Sequence, residues 1–140
     1  MEDFRFENPS DEKIRDILTQ ATTIAVVGLS TNLSRASFRI ANYLKRRNYR
    51  IIPVNPKYPQ ILGEKPYAKL ADVSEKVDIV DIFRRPEHIM PIVEDAIQIK
   101  AKVVWMQEGI SNPQAAKKAM ESGITVLMDR CIYKEHVRLL

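Results

Sequence analysis

The feature that most constrains the fold is an alternation of short apolar runs with amphipathic stretches, repeated five times along the chain. Continuous apolar runs of this length are typical of strands buried on both faces, and amphipathic stretches are typical of helices that cover a sheet. The predicted strands cover residues 23–29, 49–56, 77–83, 102–107 and 124–129. The alternation therefore predicts an α/β fold, with one doubly wound domain over residues 1–140 and a five-stranded, mainly parallel sheet.

The predicted helices have recognisable beginnings and ends. They cover residues 11–21, 34–48, 86–100, 112–123 and a closing segment at 132–140. Ser10 or Asp11 is available to cap the first helix, Asn48 is a plausible end for the second, and Asn112 can cap the fourth, which Gly123 ends. Residues 57–76 are rich in proline and turn residues, which predicts a long connection with one short helical turn.

Composition excludes several classes of protein. One cysteine excludes an internal disulfide framework and a multi-cysteine metal site, and no apolar run approaches the ~20 residues that span a bilayer. The N-terminal residues 1–16 are polar and acidic, unlike a signal peptide, so we expect a cytoplasmic protein that does not associate with membranes. The net charge of +4 is spread out and is not interleaved with aromatic residues, which disfavours nucleic acid as a partner.

Candidate ligand-binding residues follow the strands, because doubly wound sheets bind ligands outside the carboxyl ends of their strands. Gly28 follows the first apolar run, and Ser30, Ser34, Arg35 and Ser37 come next, before a predicted helix. Hydroxyl groups, a guanidinium and the amides of a helix N-terminus favour a phosphate. The alternative is a tight strand-to-helix turn with capping serines, since the dinucleotide fingerprint G-x-G-x-x-G is missing.

The second predicted strand ends at Asn55 and Pro56, with Lys57 just beyond. NAD-binding folds usually place a carboxylate here for the ribose hydroxyls, and this chain has none. Lys57 favours an additional phosphate instead. The alternative makes Asn55-Pro56 a turn and Lys57 a solvated surface charge.

The third and fourth predicted strands also end in polar residues. Arg84 and Arg85 follow the third, and guanidinium groups suit pyrophosphate or carboxylate oxygens. The alternative is that they point into water, as expected above all for Arg85. Gln107 and Glu108 follow the fourth strand, whose Trp105 and Met106 are expected in the core.

The sequence shows little that indicates catalysis. His88 and His136 are the only histidines and lack the spacing of a paired metal site. Asp78 and Asp81 fall in one predicted strand at an odd separation, so they are expected on opposite faces. Cys131 lies beside an arginine at a strand end, a setting that can lower a thiol pKa, although a buried, inert cysteine is the commoner outcome.

Seven segments of the chain resemble segments of one protein family. They occur in the same order as in that family and extend along almost the whole chain. The chain resembles the stand-alone CoA-binding proteins of bacteria and archaea, whose Rossmann-like domain also occurs in the succinyl-CoA synthetase alpha subunit and in ADP-forming acyl-CoA synthetases. The segments are AVVGLS (25–30), RIANYL (39–44), YRIIPVNP (49–56), LGEKPYAKLADV (62–73), VDIVDIFRRPE (77–87), KVVWMQEGI (102–110) and DRCIYKEH (129–136).

The resemblance implies a set of residues around coenzyme A. They are Gly28, Leu29, Ser30, Arg35 and Ser37 in the first loop; Asn55, Pro56 and Lys57 after the second strand; Phe83 and Arg84 in the crevice; and Met106, Gln107, Glu108 and Gly109 near the pantetheine arm. Leu33 and Ala36 stand where many relatives have proline, which implies a looser first loop. The synthetases carry a phosphohistidine on a further domain, and neither histidine here matches it, so binding is implied without ligation chemistry.

Two functions are therefore weighed. The first is binding of coenzyme A or an acyl-CoA through the strand-end loops, without catalysis by this chain and without a metal ion. The second is that of a small NADP-dependent oxidoreductase or NADP-binding protein, with Lys57 at the 2′-phosphate. Cys131 is expected on the rim of the same crevice, where it could form a mixed disulfide with coenzyme A. A homo-oligomer and a partner enzyme both stay open.

Overall fold

A computed structural model describes residues 4–140, and five strands form its sheet. The strands are β1 (Thr23–Val27), β2 (Arg50–Val54), β3 (Ile79–Ile82), β4 (Val103–Met106) and β5 (Thr125–Leu127). The helices are α1 (Asp11–Gln20), α2 (Ala36–Arg46), α3 (Ile89–Gln98), α4 (Pro113–Glu121) and α5 (Ile132–Leu139). Every strand pair is parallel, which confirms the predicted doubly wound α/β class.

The strand order is β2-β1-β3-β4-β5, so the chain reverses its winding direction beside β1. From β1 the chain passes through α2 to β2 on one side, and it then returns to β3 on the other side. The carboxyl ends of β1 and β3 therefore flank the switch point, where a crevice forms in folds of this kind.

Each face of the sheet has its own apolar core. The helices α1, α2 and α5 cover one face, with Ile14, Leu44 and Ile132 among its buried residues. The helices α3 and α4 cover the other face, with Val93 and Ala116 among those. Burial on both faces explains why the strands read as continuous apolar runs.

Several predicted helix boundaries are confirmed by hydrogen bonds or backbone angles. The side chain of Ser10 accepts a hydrogen bond from the Lys13 amide at 3.2 Å, and that of Asn112 accepts one from the Ala115 amide at 3.0 Å. Asn48 adopts a φ of 73° just beyond α2, the left-handed conformation that commonly ends a helix. The predicted helical turn in the long connection is a 3-10 turn at Leu70–Asp72.

Other boundaries differ from the predictions. β1 ends at Val27, before the predicted 29, because Gly28 turns the chain with a φ of 88°. Asp78 lies just before β3 and not in it, and its Oδ2 accepts hydrogen bonds from the amides of Thr22 and Thr23. Within residues 4–140, no helix is long and apolar enough to cross a membrane.

Candidate functional site

A cavity of about 610 Å³ opens at the carboxyl ends of β1, β2 and β3, at the switch point of the sheet. Its volume is in the range of small-molecule and cofactor sites. The lining residues come from the ends of three strands, from the start of α2 and from the loop after β4. They are Gly28, Ser30, Asn32, Arg35, Ala36, Ser37, Asn55, Pro56, Lys57, Tyr58, Phe83, Arg84, Arg85 and Ile110. We call this the phosphate cavity, because arginine and lysine side chains and an uncapped helix N-terminus, which favour phosphate groups, line it.

The floor of the phosphate cavity is built by close contact between the ends of β1 and β3. A Cβ atom placed on Gly28 would lie 2.6 Å from the carbonyl oxygen of Phe83 and 3.0 Å from Cδ of Arg84. Only glycine fits this contact, and only glycine adopts its positive φ without strain. The Arg84 side chain therefore passes close to Gly28, and Arg84 lines the cavity.

The loop between β1 and α2 is held by its own polar side chains. Ser37 accepts a hydrogen bond through its Oγ from the Ser30 amide at 3.1 Å, and Ser30 Oγ accepts one from the Asn32 amide at 3.0 Å. Asn32 Oδ1 in turn accepts bonds from the amide and the hydroxyl of Ser34, at 2.9 and 2.7 Å. These bonds fit the tight strand-to-helix turn of the alternative interpretation, although no serine side chain caps an amide of α2 within residues 4–140.

The N-terminus of α2 points at the cavity. Arg35 precedes the helix and makes no capping hydrogen bond with its side chain, while Ala36 and Ser37 line the cavity. The first amides of an α-helix have no partner within the helix, and the helix dipole places partial positive charge at this end. An uncapped N-terminus of this kind binds anions well.

Four cationic side chains surround the cavity, namely those of Arg35, Lys57, Arg84 and Arg85. All four residues are exposed, and none forms an ion pair within residues 4–140. No Asp or Glu is among the lining residues. Unopposed cations at a helix N-terminus produce a positive field that attracts a polyanion.

Asn55 connects two walls of the cavity. Its Nδ2 donates a hydrogen bond to the Leu29 carbonyl at 3.0 Å, and its Oδ1 accepts one from the Lys57 amide at 2.9 Å. The turn interpretation of Asn55 is therefore correct. Each polar end of the amide thus has a protein partner, and the position where NAD-binding folds place an acidic residue for the ribose hydroxyls carries no carboxylate.

The structure brings most, but not all, of the expected binding residues to the cavity. Five of them do not line it: Leu29, Met106, Gln107, Glu108 and Gly109. Leu29 and Met106 are completely buried in the two cores. Gln107 is also buried, and its Oε1 accepts a hydrogen bond from the Ile132 amide at the start of α5.

The two remaining residues of that set are exposed at the end of β4. Glu108 forms an ion pair with Lys134 at 2.7 Å, and the Gly109 amide donates a hydrogen bond to Asp129 Oδ1 at 2.6 Å. In this structure Ile110 is the residue of the β4 loop that reaches the phosphate cavity.

Five lining residues were not among those expected to bind: Asn32, Ala36, Tyr58, Arg85 and Ile110. Arg85, which was expected to point into water, lines the cavity although it is exposed. Tyr58 follows Lys57 directly and is half-buried. The signal that could have identified it in the sequence was an aromatic residue just after a predicted strand.

The other reactive residues lie outside the phosphate cavity. Cys131 is only 8% exposed and does not line it. His136 is buried, and its Nδ1 is hydrogen-bonded to the Tyr43 hydroxyl at 2.8 Å; burial, helped by the nearby Arg47 charge, lowers the pKa of His136. The described part of the chain contains no cluster of His, Cys, Asp and Glu suited to a metal ion.

Comparison with known proteins adds an independent line of information. The sequence model of the family described as "CoA binding domain" matches residues 22–137. The uncharacterized protein YneT of Bacillus subtilis is 38% identical over 130 residues, which cover 93% of this chain and 96% of YneT. The ADP-forming acetate–CoA ligase of Methanocaldococcus jannaschii is 35% identical over 71 residues, 51% of this chain and 10% of the ligase.

Solved structures agree with these matches. A hypothetical protein from Pyrococcus horikoshii OT3 superimposes with a TM-score of 0.92 at 42% identity, over 99% of both chains. The apo form of the dinucleotide forming acetyl-coenzyme A synthetase 1 of Ca. Korarchaeum cryptofilum gives a TM-score of 0.68 at 26% identity. That similarity covers 76% of this chain and 25% of the synthetase chain.

Proposed function

Because this chain belongs to the family of CoA-binding domains, as its resemblance predicted, we propose that it binds coenzyme A in the phosphate cavity. The observation that carries the proposal concerns residues 4–140: four cations form no ion pair there, the N-terminus of α2 is uncapped, and none of these residues that line the cavity is acidic. Coenzyme A is a polyanion with a pyrophosphate and a 3′-phosphate, so it needs several positive groups within one site.

The geometry favours one arrangement of the phosphates. The pyrophosphate belongs at the start of α2, where the amides of Ala36 and Ser37 and the guanidinium of Arg35 can surround its oxygens. The 3′-phosphate belongs near Lys57 at the end of β2. Arg84 and Arg85 line the third side, after β3, where they can contact either group.

The same observations argue for coenzyme A over a nicotinamide dinucleotide. A carboxylate at the end of β2 would repel a 3′-phosphate, and the residue there is an amide with both polar ends engaged by protein groups. NADP differs from NAD by a 2′-phosphate, which Lys57 could also contact. NADP is therefore the competitor that a binding experiment has to include.

The proposal extends to acyl thioesters of coenzyme A, because the groups assigned so far contact only the phosphates. The relatives named as CoA ligases are consistent with coenzyme A as the ligand class.

The direct test is calorimetric titration of the nucleotide-stripped protein with coenzyme A, acetyl-CoA, 3′-dephospho-CoA, NAD and NADP. We expect coenzyme A to bind more tightly than its 3′-dephospho form, because Lys57 and its neighbours then lose a charged partner. Binding of NADP with equal affinity would support the alternative function. Absence of coenzyme A binding would refute the proposal.

Charge reversal locates the site. We expect Lys57→Glu and Arg84→Glu each to weaken coenzyme A binding at least roughly 10- to 100-fold, because a charge-assisted hydrogen bond contributes about 1.5–3 kcal/mol. Lys117→Glu is the matched control, since Lys117 is exposed on α4, changes the net charge equally and does not line the cavity. Equal effects of all three substitutions would show that net charge, not this site, controls affinity.

A further inference from the structure

The exposed side of helix α5 carries a stripe of apolar residues. Tyr133, Val137 and Leu140 are 41%, 57% and 53% exposed, and they follow one another at spacings of four and three residues. Residues with these spacings share one side of a helix, so the three form a continuous surface, which we call the α5 stripe. The other large exposed hydrophobic residues of the described chain, Leu33 and Met120, stand singly.

The aromatic end of the α5 stripe continues onto helix α2. The rings of Tyr43 and Tyr133 meet edge to face, with their centroids 4.7 Å apart. The guanidinium of Arg47 lies 4.8 Å from the centre of the Tyr43 ring, and the Tyr43 hydroxyl is hydrogen-bonded to Nδ1 of His136 at 2.8 Å. Tyrosines held in this way lose little conformational entropy when a partner binds, and tyrosine is frequent at the energetic centres of protein interfaces.

The charges beside the α5 stripe are already paired within the chain. Lys134 forms an ion pair with Glu108 at 2.7 Å, and Arg138 forms one with Asp11 at 2.8 Å. These two cations are the other exposed side chains of α5. Because each has an anionic partner, they do not give the stripe an unopposed positive charge that would repel a second copy.

Helix α5 lies between α1 and α2 on its face of the sheet. Arg15 of α1 donates a hydrogen bond to the Leu139 carbonyl at 3.1 Å, and on the other side Tyr43 of α2 bonds to His136. The stripe therefore has one flank formed by α1 and another formed by α2.

The two flanks carry opposite charge. Glu12 and Asp16 are exposed one turn apart on α1, and Arg46 and Arg47 are exposed at the end of α2. None of these four forms an ion pair within residues 4–140. Both pairs lie beside the second half of α5, because Asp16 follows the residue that contacts Leu139 and the arginines follow Tyr43 by three and four positions.

One symmetric arrangement of two copies matches this pattern of charge. A twofold axis parallel to α5 places the stripe of one copy on the stripe of the other and α1 of each copy opposite α2 of the other. The carboxylates of Glu12 and Asp16 then face the guanidinium groups of Arg46 and Arg47. A twofold axis perpendicular to α5 within the same face would instead oppose α1 to α1 and α2 to α2, so that like charges meet.

We propose that two copies of this chain associate through the α5 stripe, about a twofold axis parallel to the helix. Helix α5 has eight residues and is about 12 Å long, so it supplies the apolar centre of the interface. A stable interface buries about 800 Å² on each partner, which requires the charged flanks as its rim. No residue of the stripe or of the flanks lines the phosphate cavity, so the inference goes beyond the proposed function and does not depend on it.

The first experiment is sedimentation equilibrium of the full chain between about 1 μM and 1 mM, where we expect a reversible monomer–dimer equilibrium. Val137→Lys should weaken the dimer at least about tenfold, because the axis brings the two ammonium groups together in the apolar centre. Met120→Lys is the matched control, since Met120 is exposed near the end of α4 and its replacement adds the same charge. Circular dichroism and thermal unfolding establish that both variants are folded.

The second experiment exchanges the charges of the two flanks. Asp16→Arg and Arg46→Asp should each weaken the dimer, because each places like charges opposite one another at two symmetric positions. The protein with both substitutions should regain the dissociation constant of the unmodified dimer, since attraction is restored with its direction reversed. This exchange also leaves the net charge of the chain unchanged.

The results decide both the surface and the symmetry. An unmodified protein that stays monomeric up to about 1 mM would refute the inference, as would assembly that continues beyond the dimer. A dimer that Val137→Lys leaves intact uses another surface, and the inference is then wrong. If the double substitution does not restore association, α1 does not face α2 of the other copy and the assigned axis is wrong.

Discussion

Asp81 makes the stability of this protein depend on pH in an unusual direction. It lies in β3 beside Val26 of β1 and Trp105 of β4, and it is completely buried. Neither carboxylate oxygen has a hydrogen-bond partner among residues 4–140. Burial raises the pKa of Asp81 well above its ordinary value, so the folded protein keeps this carboxyl group protonated where an exposed one ionises.

The sign of the effect follows from the protons bound in each state. Above about pH 4 the unfolded chain releases the Asp81 proton while the folded protein retains it, so stability falls as pH rises toward the folded-state pKa. The slope is about 1.4 kcal/mol per pH unit for one proton. Asn is uncharged and similar in size, so Asp81→Asn removes this slope.

The assay is urea unfolding at several pH values between 5 and 7, followed by circular dichroism and by the fluorescence of Trp105, the single tryptophan. We expect the free energy of unfolding of the unmodified protein, minus that of Asp81→Asn, to fall as pH rises, by about 1.4 kcal/mol per pH unit for as long as Asp81 stays protonated in the folded protein. Other titrating groups cancel in the difference. A difference that stays constant would refute the reasoning, because it would mean that Asp81 is ionised in the folded protein.

Asp78, which directly precedes β3, provides a matched control. Burial raises its pKa, but hydrogen bonds from Thr22 and Thr23 outweigh burial, and the net shift is downward. Its contribution to stability is therefore present above about pH 4 and is lost only as pH falls below that value. The corresponding difference for Asp78→Asn should be constant between pH 5 and 7.

Two further predictions concern glycine and a helix cap. Gly28→Ala should destabilise the protein by at least about 1 kcal/mol more than Gly63→Ala, as measured by urea unfolding. Both glycines have positive φ, but only a Cβ at Gly28 would meet backbone, since it would lie 2.6 Å from the Phe83 carbonyl oxygen. Equal losses of unfolding free energy in the two variants would contradict this contact. Asn112→Ala should lower the free energy of unfolding by about 1 kcal/mol in the same assay, since it removes the acceptor for the Ala115 amide. A loss below about 0.3 kcal/mol would contradict a stabilising cap.

The fold could be predicted because its signals are local. Apolar runs mark the buried strands, and Asn48, Asn112 and Gly123 mark helix ends by conformations or hydrogen bonds that need only neighbouring residues. The general rule that ligands bind at the carboxyl ends of parallel strands then located the cavity. Neither step requires knowledge of which side chains meet across the fold.

The details of the site depend on contacts distant in sequence, and these could not be read from the chain. Gln107 follows β4 as a binding residue would, but it turns inward because the Ile132 amide, 25 residues away, needs an acceptor. Glu108 is drawn outward by Lys134.

The hydrogen bonds of Asn55 have a consequence for how a ligand enters and leaves. One amide group joins the segment after β1 to the segment after β2, through the Leu29 carbonyl and the Lys57 amide. A movement of either segment away from the other has to break the hydrogen bond between Asn55 and the Leu29 carbonyl. The two walls are consequently pre-organised before the ligand arrives, so little conformational entropy is lost there on binding.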